Sequence, residues 1–249
     1  MPDYNTKAFL PLARRHVTRG HGWGFEAGTD FWLMPNPGID QGIAASATDP
    51  NGLLGLAAHG WTATSLVNTA GSGADFGSSA DKGTPNHFLT NASGDLLESP
   101  AVFGDFAHME AARRIAGMKG LPRFLVAEFM GSMSVHSADE PRSGWGFVED
   151  GGSVATEADL AAFISSDGTN FQIGANAGTP ANGAADDALW HVFEIVLDRN
   201  TQLATWYIDR VLQTGSVALV ADEAPYSFGF HALTTNRPLL AWAHVYYDW

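Results

Sequence analysis

The first candidates for chemistry are carboxylates that fall inside apolar, strand-like segments. Glu128 interrupts the run 124–130, and Glu194 and Asp198 share one face of a second run with Val196 between them. Hydrolysis of a glycosidic bond needs two carboxyl groups at a defined separation. Glu128 has no second acid on its own segment, and no third acid completes a set with Glu194 and Asp198. The sequence therefore predicts no enzymatic activity that depends on Glu128.

Other catalytic patterns are missing from the chain. It has no His-Glu-x-x-His metal motif, no Gly-x-Ser-x-Gly nucleophile turn and no Gly-rich phosphate loop followed by Lys-Ser/Thr. His191, His231 and His244 lie in strand-like segments, where packing or a hydrogen bond is the expected role. The chain contains no cysteine, which excludes disulfides and thiolate metal sites.

Tryptophan is abundant, and its flat apolar face can stack on a sugar ring. Those tryptophans in strand-like segments are expected in the core: Trp190, Trp206 and Trp242. Three others lie nearer to loops or to the chain end and are the predicted ligand contacts: Trp61, Trp145 and Trp249. The alternative for each of these three is a core or subunit-interface position, because aromatic side chains dominate both.

The strands that must position these side chains are clearest after residue 189. Segments 190–198, 203–209 and 239–248 are rich in Trp, Tyr, Ile and Val, and the polar break between the first two is typical of a hairpin. Alternation places His191, Phe193, Ile195 and Leu197 on one face of the first segment, and Val192, Glu194, Val196 and Asp198 on the other. It divides the last segment into two rows: Leu239, Ala241, Ala243, Val245 and Tyr247, and Leu240, Trp242, His244, Tyr246 and Asp248.

Further strands are predicted upstream. The sequence indicates strands over 124–130 and 145–148, and a hairpin of 160–166 and 169–173 around Asp167-Gly168. Segments 71–86 and 175–188 consist mainly of small residues and are predicted loops. The pattern predicts an all-β chain with one antiparallel β-sandwich over 23–249, because sandwiches of this length commonly form single domains.

The C-terminal motifs resemble those of a known family. Trp190-His191, a hairpin, Trp206-Tyr207-Ile208-Asp209 and a closing aromatic strand are similar to the second half of a laminin-G-like module. Such modules belong to the concanavalin A-like lectins and glucanases, which are jelly rolls. The resemblance covers about residues 105–249, and Arg210 stands where glycine is usual. The glucanases carry Glu, Asp and Glu along one strand, and the absence of that set here supports the prediction of no enzyme.

The resemblance also implies a structural calcium ion as the one plausible cofactor. Relatives hold calcium through loop carboxylates and backbone oxygens, which suit a hard cation. The candidate ligands are acids in loops or at the end of the last strand: Glu149, Asp150, Asp186, Asp187 and Asp248. The alternative is that these acids are simply solvated, as most surface carboxylates are.

Charge is distributed unevenly along the chain. The net charge is −14, which argues against nucleic acid as a partner because phosphate binding needs clustered Lys and Arg. Residues 1–22 are instead basic and are predicted to form an arm that assembles onto an acidic neighbour. Its charged and apolar contacts would come from Phe9, Leu10, Arg14, Arg15 and Arg19. The alternative is a solvated tail without contacts.

Three functional classes follow from these features. The sequence favours a structural protein with protein partners, such as a phage or virion decoration or tail component in a homo-oligomer or lattice. The alternative is a carbohydrate-binding module, and a glycoside hydrolase or lyase is the least favoured. No signal-peptide core and no run of about 20 apolar residues is found. The expected location is therefore a virion or extracellular particle surface, without membrane contact.

Overall fold

The computed structural model describes most of the C-terminal half of the chain and several shorter upstream segments. The described residues are 30–33, 41–44, 62–64, 67–69, 87–90, 93–99, 123–137, 140–149, 152–176, 178–219, 226–233 and 236–248. Three predicted segments lie outside them: 106–115, whose sequence favours a strand over one short helix, the predicted loop 71–86 and the arm 1–22. None of the helices in the described residues is long and apolar enough to span a membrane.

The described residues form strands and one short 3-10 helix, Glu157–Asp159. The first nine strands are β1 Asp30–Leu33, β2 Gln41–Ala44, β3 Thr62–Thr64, β4 Val67–Thr69, β5 His87–Leu89, β6 Leu96–Glu98, β7 Phe124–Val135, β8 Gly144–Val148 and β9 Leu160–Ser166. The remaining strands are β10 Asn170–Gly174, β11 Ala181–Ala185, β12 His191–Asp198, β13 Leu203–Ile208, β14 Val211–Leu212, β15 Val217–Ala218, β16 Ser227–His231 and β17 Arg237–Asp248.

The strands form two antiparallel sheets. The ten-stranded sheet has the order β14-β13-β12-β7-β17-β5-β4-β2, with β1 beside β17 and β15 beside β13. The seven-stranded sheet has the order β11-β10-β9-β8-β16-β6-β3. The two sheets bury one shared apolar core, so the predicted antiparallel β-sandwich is confirmed.

The core is built by alternate residues of the central strands. On β12 these are Phe193, Ile195 and Leu197, which share one face as alternation predicted, and on β13 they are Ala204, Trp206 and Ile208. Aromatic rings from both sheets meet at the centre, where the ring centroids of Phe129 on the ten-stranded sheet and Phe228 on the seven-stranded sheet lie 5.6 Å apart. Because successive side chains point to opposite faces, the intervening residues of these strands lie on the outer face of the ten-stranded sheet.

Trp145 belongs to this core, and the prediction that it contacts a ligand at the surface is wrong. Its side chain is fully buried, and its ring stacks on Phe193 at 5.3 Å. Space for the indole comes from Gly131 on the opposite sheet, where an added Cβ would lie 2.9 Å from Trp145 Cζ2. A glycine inside the apolar strand β7 is thus the signal of a large ring packed across the sandwich.

Two further expectations are corrected by the strand register. Segment 175–188 is not all loop, because Ala181–Ala185 forms β11 at the edge of the seven-stranded sheet. In β17 the pairing with β7 shifts between Leu240 and Trp242. Since this irregularity reverses the alternation, Leu240 joins Ala243 and Val245 in the core instead of sharing a face with Trp242 and His244.

Candidate functional site

A row of polar and ionisable side chains crosses the outer face of the ten-stranded sheet. Tyr207 of β13 is the register partner of Glu194 on β12. Glu194 is in turn opposite Glu128 on β7, and Glu128 is opposite His244 on β17. Neighbouring strands lie about 4.8 Å apart, so four side chains with hydrogen-bonding groups occupy consecutive strands at one level. We call Tyr207, Glu194, Glu128 and His244 the carboxylate row.

Alternation explains why these four side chains share a face. Each is flanked along its strand by residues that point into the core, such as Ala127 and Phe129 on either side of Glu128. The same holds for His244 between Ala243 and Val245. If one of these strands were rotated to exchange its two faces, the polar side chain of the row would be buried between the sheets. The apolar side chains that now form the core would then be exposed. The orientation of the row is therefore enforced by the core.

Apolar side chains flank the row on both sides along the strands, and the row becomes more buried toward β17. Val192, Met130 and Trp242 form the level on one side and are partly exposed. Tyr246 on the other side is fully buried and packs on His244, with ring centroids 4.5 Å apart. Glu128, Glu194 and Tyr207 are partly exposed, whereas His244 is almost fully buried. A ligand would thus reach the two carboxylates and the tyrosine first.

The chemistry of the row is that of hydrogen-bond acceptors beside an aromatic hydroxyl. Within the described part of the chain, no hydrogen bond or ion pair reaches the side chain of Glu128. An ionised carboxylate only accepts hydrogen bonds, whereas a tyrosine hydroxyl both donates and accepts them. Flanking aromatic and aliphatic side chains add apolar surface. This combination suits a ligand with several hydroxyl or amino donors on a compact carbon frame.

Sequence reasoning missed the row because it considered each strand separately. Glu128 had no acidic neighbour along β7, and its neighbour Glu194 lies 66 positions further along the chain. Only the register of β7 with β12 and β17 brings the carboxylates and His244 together. A usable signal was present nonetheless, since each of the three segments has one ionisable residue in its apolar middle.

A second group of acids surrounds His191 and has a different geometry. The imidazole Nδ1 lies 2.7 Å from Asp209 Oδ2, and Nε2 lies 2.9 Å from Asp187 Oδ1. Asp209 also accepts a hydrogen bond from the backbone N–H of Val192 at 2.9 Å. This His191 clamp joins the loop before β12 to the turn after β13. It is structural, which agrees with the role expected for a strand histidine.

The two carboxylates dominate the protonation of the clamp. Burial alone would lower the pKa of His191, but the hydrogen bonds to Asp209 and Asp187 outweigh it and raise the pKa. Partial burial would raise the pKa of Asp187, but the His191 hydrogen bond and a backbone N–H lower it. His191 and Asp209, which support the laminin-G-like resemblance, are in direct contact through His191 Nδ1 and Asp209 Oδ2. The residue after them, Arg210, has a φ of 70°, which explains why glycine is usual there.

The predicted calcium ligands do not converge on one site. Asp186 pairs with His136, with Oδ2 and Nδ1 3.0 Å apart, while Asp187 belongs to the His191 clamp. Glu149 follows β8 and Asp248 ends β17, and Asp150 lies outside the described residues. Across the described residues, no three His, Cys, Asp or Glu side chains are placed to hold a metal ion. The four candidate ligands that are described therefore do not form one calcium site with each other, and bound calcium stays a prediction from the resemblance.

One carboxylate at the outer face of the seven-stranded sheet is buried by a loop. Glu98 accepts hydrogen bonds from the Ser153 hydroxyl at 3.1 Å and from the Val154 N–H at 3.4 Å. The Ser227 hydroxyl of β16 adds a third at 3.4 Å. Burial raises the pKa of Glu98, and the nearby charge of Asp159 raises it further. These contacts fasten the segment 152–159 to the sheet, so we assign this group a structural role.

The other predicted site residues cannot be placed. Trp61 and Trp249 lie outside the described residues, as does the whole assembly arm with Phe9, Leu10, Arg14, Arg15 and Arg19. Their roles as glycan contacts and assembly contacts stay predictions. Of the three tryptophans predicted to bind a ligand, only Trp145 is placed, and it lies in the core.

Comparison with known proteins finds solved structures with a similar fold. No protein-family model and no curated protein matches the chain. Among solved structures, the protein of unknown function SO2946 from Shewanella oneidensis MR-1 is similar with a TM-score of 0.47 and 11% identity, over 94% of this chain and 93% of that one. The metal-free carbohydrate recognition domain of Emp46p has a TM-score of 0.43 and 10% identity, over 86% and 98%.

A sialidase is also similar, with a TM-score of 0.39 and 9% identity. The match covers 64% of this chain but only 15% of the sialidase. At such low identity these likenesses concern the fold, and no residue of this chain takes its role from them.

Proposed function

We propose that this protein is a concanavalin A-like jelly roll that binds a glycan on the outer face of its ten-stranded sheet. The observation that carries the proposal is the carboxylate row, in which four hydrogen-bonding side chains occupy four adjacent strands in register. A sheet face holds its side chains rigidly, because each is fixed by its own strand and by the core beneath it. The resemblance of the His191 and Asp209 motifs supports the family assignment.

Glycan binding is the alternative of the sequence analysis, and the row now ranks it first. The virion-component hypothesis depended on the charge of residues 1–22, and that segment lies outside the described residues. No contact in the described part of the chain bears on assembly. Protein partners, a homo-oligomer and a particle-surface location therefore stay predictions, whereas the glycan face can be tested directly.

A glycan array with matched variants tests the proposal. We expect the native chain to bind a defined set of glycans and the double variant Glu128→Gln/Glu194→Gln to lose most of that signal. Glu157→Gln serves as control, because it removes one carboxylate from the 3-10 helix beside the other sheet. Equal signals for the native chain and the double variant would exclude the row as the binding site.

Hydrolysis is a second candidate because the structure supplies the missing second carboxylate. Glu128 and Glu194 are register partners, and cross-strand Cβ atoms lie about 4.5–5.5 Å apart. Retaining glycosidases hold their two carboxyl groups about 5–5.5 Å apart. The prediction of no enzyme thus loses its sequence-based reason but stays a prediction. Release of reducing ends from a bound glycan, abolished in Glu128→Gln, would overturn it.

A further inference from the structure

We infer that segment 152–159, which we call the strap, is a pH-sensitive cover that closes over the outer face of the seven-stranded sheet in acid and loosens toward neutral pH. All four strands of the carboxylate row belong to the ten-stranded sheet, so the inference is independent of the proposed function. It rests on how the strap is packed, on where its hydrogen bonds go, and on the charges around Glu98 of β6.

Apolar packing fastens the strap at one position. Val154 is fully buried, and it belongs to a small apolar cluster, separate from the main core, with Val148, Leu160 and Phe163. Gly229 of β16 provides the space, because a Cβ atom there would lie 3.0 Å from Val154 Cγ1. The other residues of the strap are partly or fully exposed. The strap can therefore open without disturbing the main core.

Two polar contacts of the strap converge on Glu98. Its Oε2 accepts hydrogen bonds from the Ser153 hydroxyl at 3.1 Å and from the Val154 N–H at 3.4 Å. Its Oε1 accepts a third, from the Ser227 hydroxyl of β16, at 3.4 Å. Hydrogen bonds to an ionised carboxylate are usually about 2.5–2.9 Å long, so these three compensate a negative charge on Glu98 poorly.

The nearest charge also favours the neutral form of Glu98. Partial burial raises the pKa of Glu98, and the charge of Asp159, at the end of the strap, raises it further. The hydrogen bonds from Ser153, Val154 and Ser227 lower the pKa, but by less. Within the described residues, no cation forms an ion pair with Glu98. An ionised Glu98 therefore gains hydration when the strap opens.

The other ionisable groups around this site do not supply the missing cation. Glu149 follows β8 and Asp95 precedes β6, so both add negative charge. Arg142 donates from Nη1 to the Ala155 carbonyl at 3.3 Å and so contacts the strap itself. His231 of β16 is almost fully buried, and its Nδ1 donates to the Arg142 carbonyl at 2.7 Å. Burial lowers the pKa of His231, which keeps it neutral at mildly acidic pH.

These surroundings couple closure of the strap to proton uptake by Glu98. The pKa of Glu98 is raised in the closed structure. Its contribution to closure is therefore complete below the ordinary glutamate pKa of about 4.3 and is lost as pH rises through the higher closed-state value. Above that pH, opening separates the charges of Glu98 and Asp159 and releases Val154 from the space beside Gly229.

Nuclear magnetic resonance titration of the whole chain tests this coupling. The carboxyl carbon of Glu98 reports its own ionisation, the Val154 methyl groups report packing in the apolar cluster, and amide exchange over 153–159 reports opening. We expect one shared midpoint above the ordinary glutamate pKa. Amide protection, taken relative to an unstructured peptide at each pH, should fall several-fold as pH rises past that midpoint. Protection that stays constant or increases with pH would contradict the inference.

Matched variants separate Glu98 from the other acids of the chain. Glu98→Gln keeps the length of the side chain and a carbonyl acceptor but cannot ionise, so the Val154 shifts and the amide protection should no longer depend on pH. Glu157→Gln makes the same charge change within the strap, at a residue that does not influence the pKa of Glu98, and should keep the native midpoint. An equal loss of pH dependence in both variants would indicate a general charge effect and overturn the inference.

A third variant keeps the test conclusive if Glu98→Gln does not fold. Asp159 Oδ2 accepts a hydrogen bond from the Ser153 N–H at 3.0 Å, and Asp159→Asn keeps an oxygen for this contact while it removes the charge. Since that charge raises the pKa of Glu98, the midpoint of the Val154 methyl groups and strap amides should move to lower pH. An unchanged midpoint would show that Glu98 does not control the strap. Glycan binding enters none of these measurements, so their failure leaves the proposed function untouched.

Discussion

The molecule contains two places where a histidine lies among two carboxylates from different strands or loops. In the His191 clamp, each ring nitrogen lies within hydrogen-bond distance of one aspartate. In the carboxylate row, His244 is followed across the sheet by Glu128 and Glu194. The residue types are nearly the same, but the first set is occupied by contacts within the chain, whereas Glu128 accepts no hydrogen bond from the described residues.

This difference shows how residue types relate to roles in a sandwich. The clamp lies where β12 begins, and its acids come from a loop and a turn whose backbone it holds. Asp209 has a φ of 49°, a conformation that non-glycine residues rarely adopt, so the clamp also supports a strained turn. The row lies in the middle of four strands whose backbones already pair with one another. Among its carboxylates, Glu128 forms no hydrogen bond or ion pair with the described residues, so its side chain can be tested as a ligand contact.

The largest predicted effect on stability comes from opening the clamp. Asp209→Asn should lower the free energy of unfolding by about 1–2 kcal/mol, below the full value of a hydrogen bond to a charged group because Asp209 is half exposed. Urea unfolding measures the change. Glycan binding should be unaffected, and a variant that kept full stability would show that the clamp is no more structural than the row.

The clamp should also give stability a characteristic dependence on pH. The pKa of His191 is raised, so its contribution is complete below its unfolded pKa of about 6.5 and disappears as pH rises through the higher folded value. The pKa of Asp187 is lowered, so its contribution is complete above about pH 3.9 and disappears as pH falls through the lower folded value.

The clamp therefore stabilises the fold most between about pH 4 and 6.5. The measurement is urea unfolding of the native chain and of His191→Gln across that range and above it. We expect the difference in stability between them to shrink as pH rises past the folded pKa of His191. A difference that stayed constant or grew toward alkaline pH would contradict the assignment of a protonated His191.

The sequence predicted the fold better than the site, for a physical reason. The alternation of Phe193, Ile195 and Leu197 can be seen in a few consecutive residues, and it correctly placed the three on one face of β12. Register between strands is set by packing over the whole sandwich, so the meeting of Glu128 with Glu194 and His244 was not visible locally. Trp145 was misjudged for the same reason, because its neighbour Gly131 lies on the other sheet.

A smaller effect is expected from the arginine pair at the edge of the same face. Arg123→Met should cost little stability, because Arg123 is 44% exposed and surface ion pairs are weak. The lowered pKa of Asp198 means that this contribution is lost as pH falls from about 3.9 through about 2. The comparison is acid unfolding of the native chain and of Arg123→Met. If both proteins unfold at the same acidic pH, the ion pair does not stabilise the fold. Arg123 would then be available to an anionic ligand.

The smallest effect on stability is predicted for Glu128→Gln, and it tests the contrast most directly. The side chain of Glu128 is partly exposed, and glutamine keeps its length and shape. Since it has no partner among the described residues to lose, the free energy of unfolding should change by less than about 0.5 kcal/mol. Removing one of two neighbouring negative charges could even stabilise the sheet slightly, because like charges directly opposite each other on paired strands are destabilising. If Glu128→Gln instead costs as much as Asp209→Asn, then Glu128 holds the fold, and the row is a second clamp rather than a binding face.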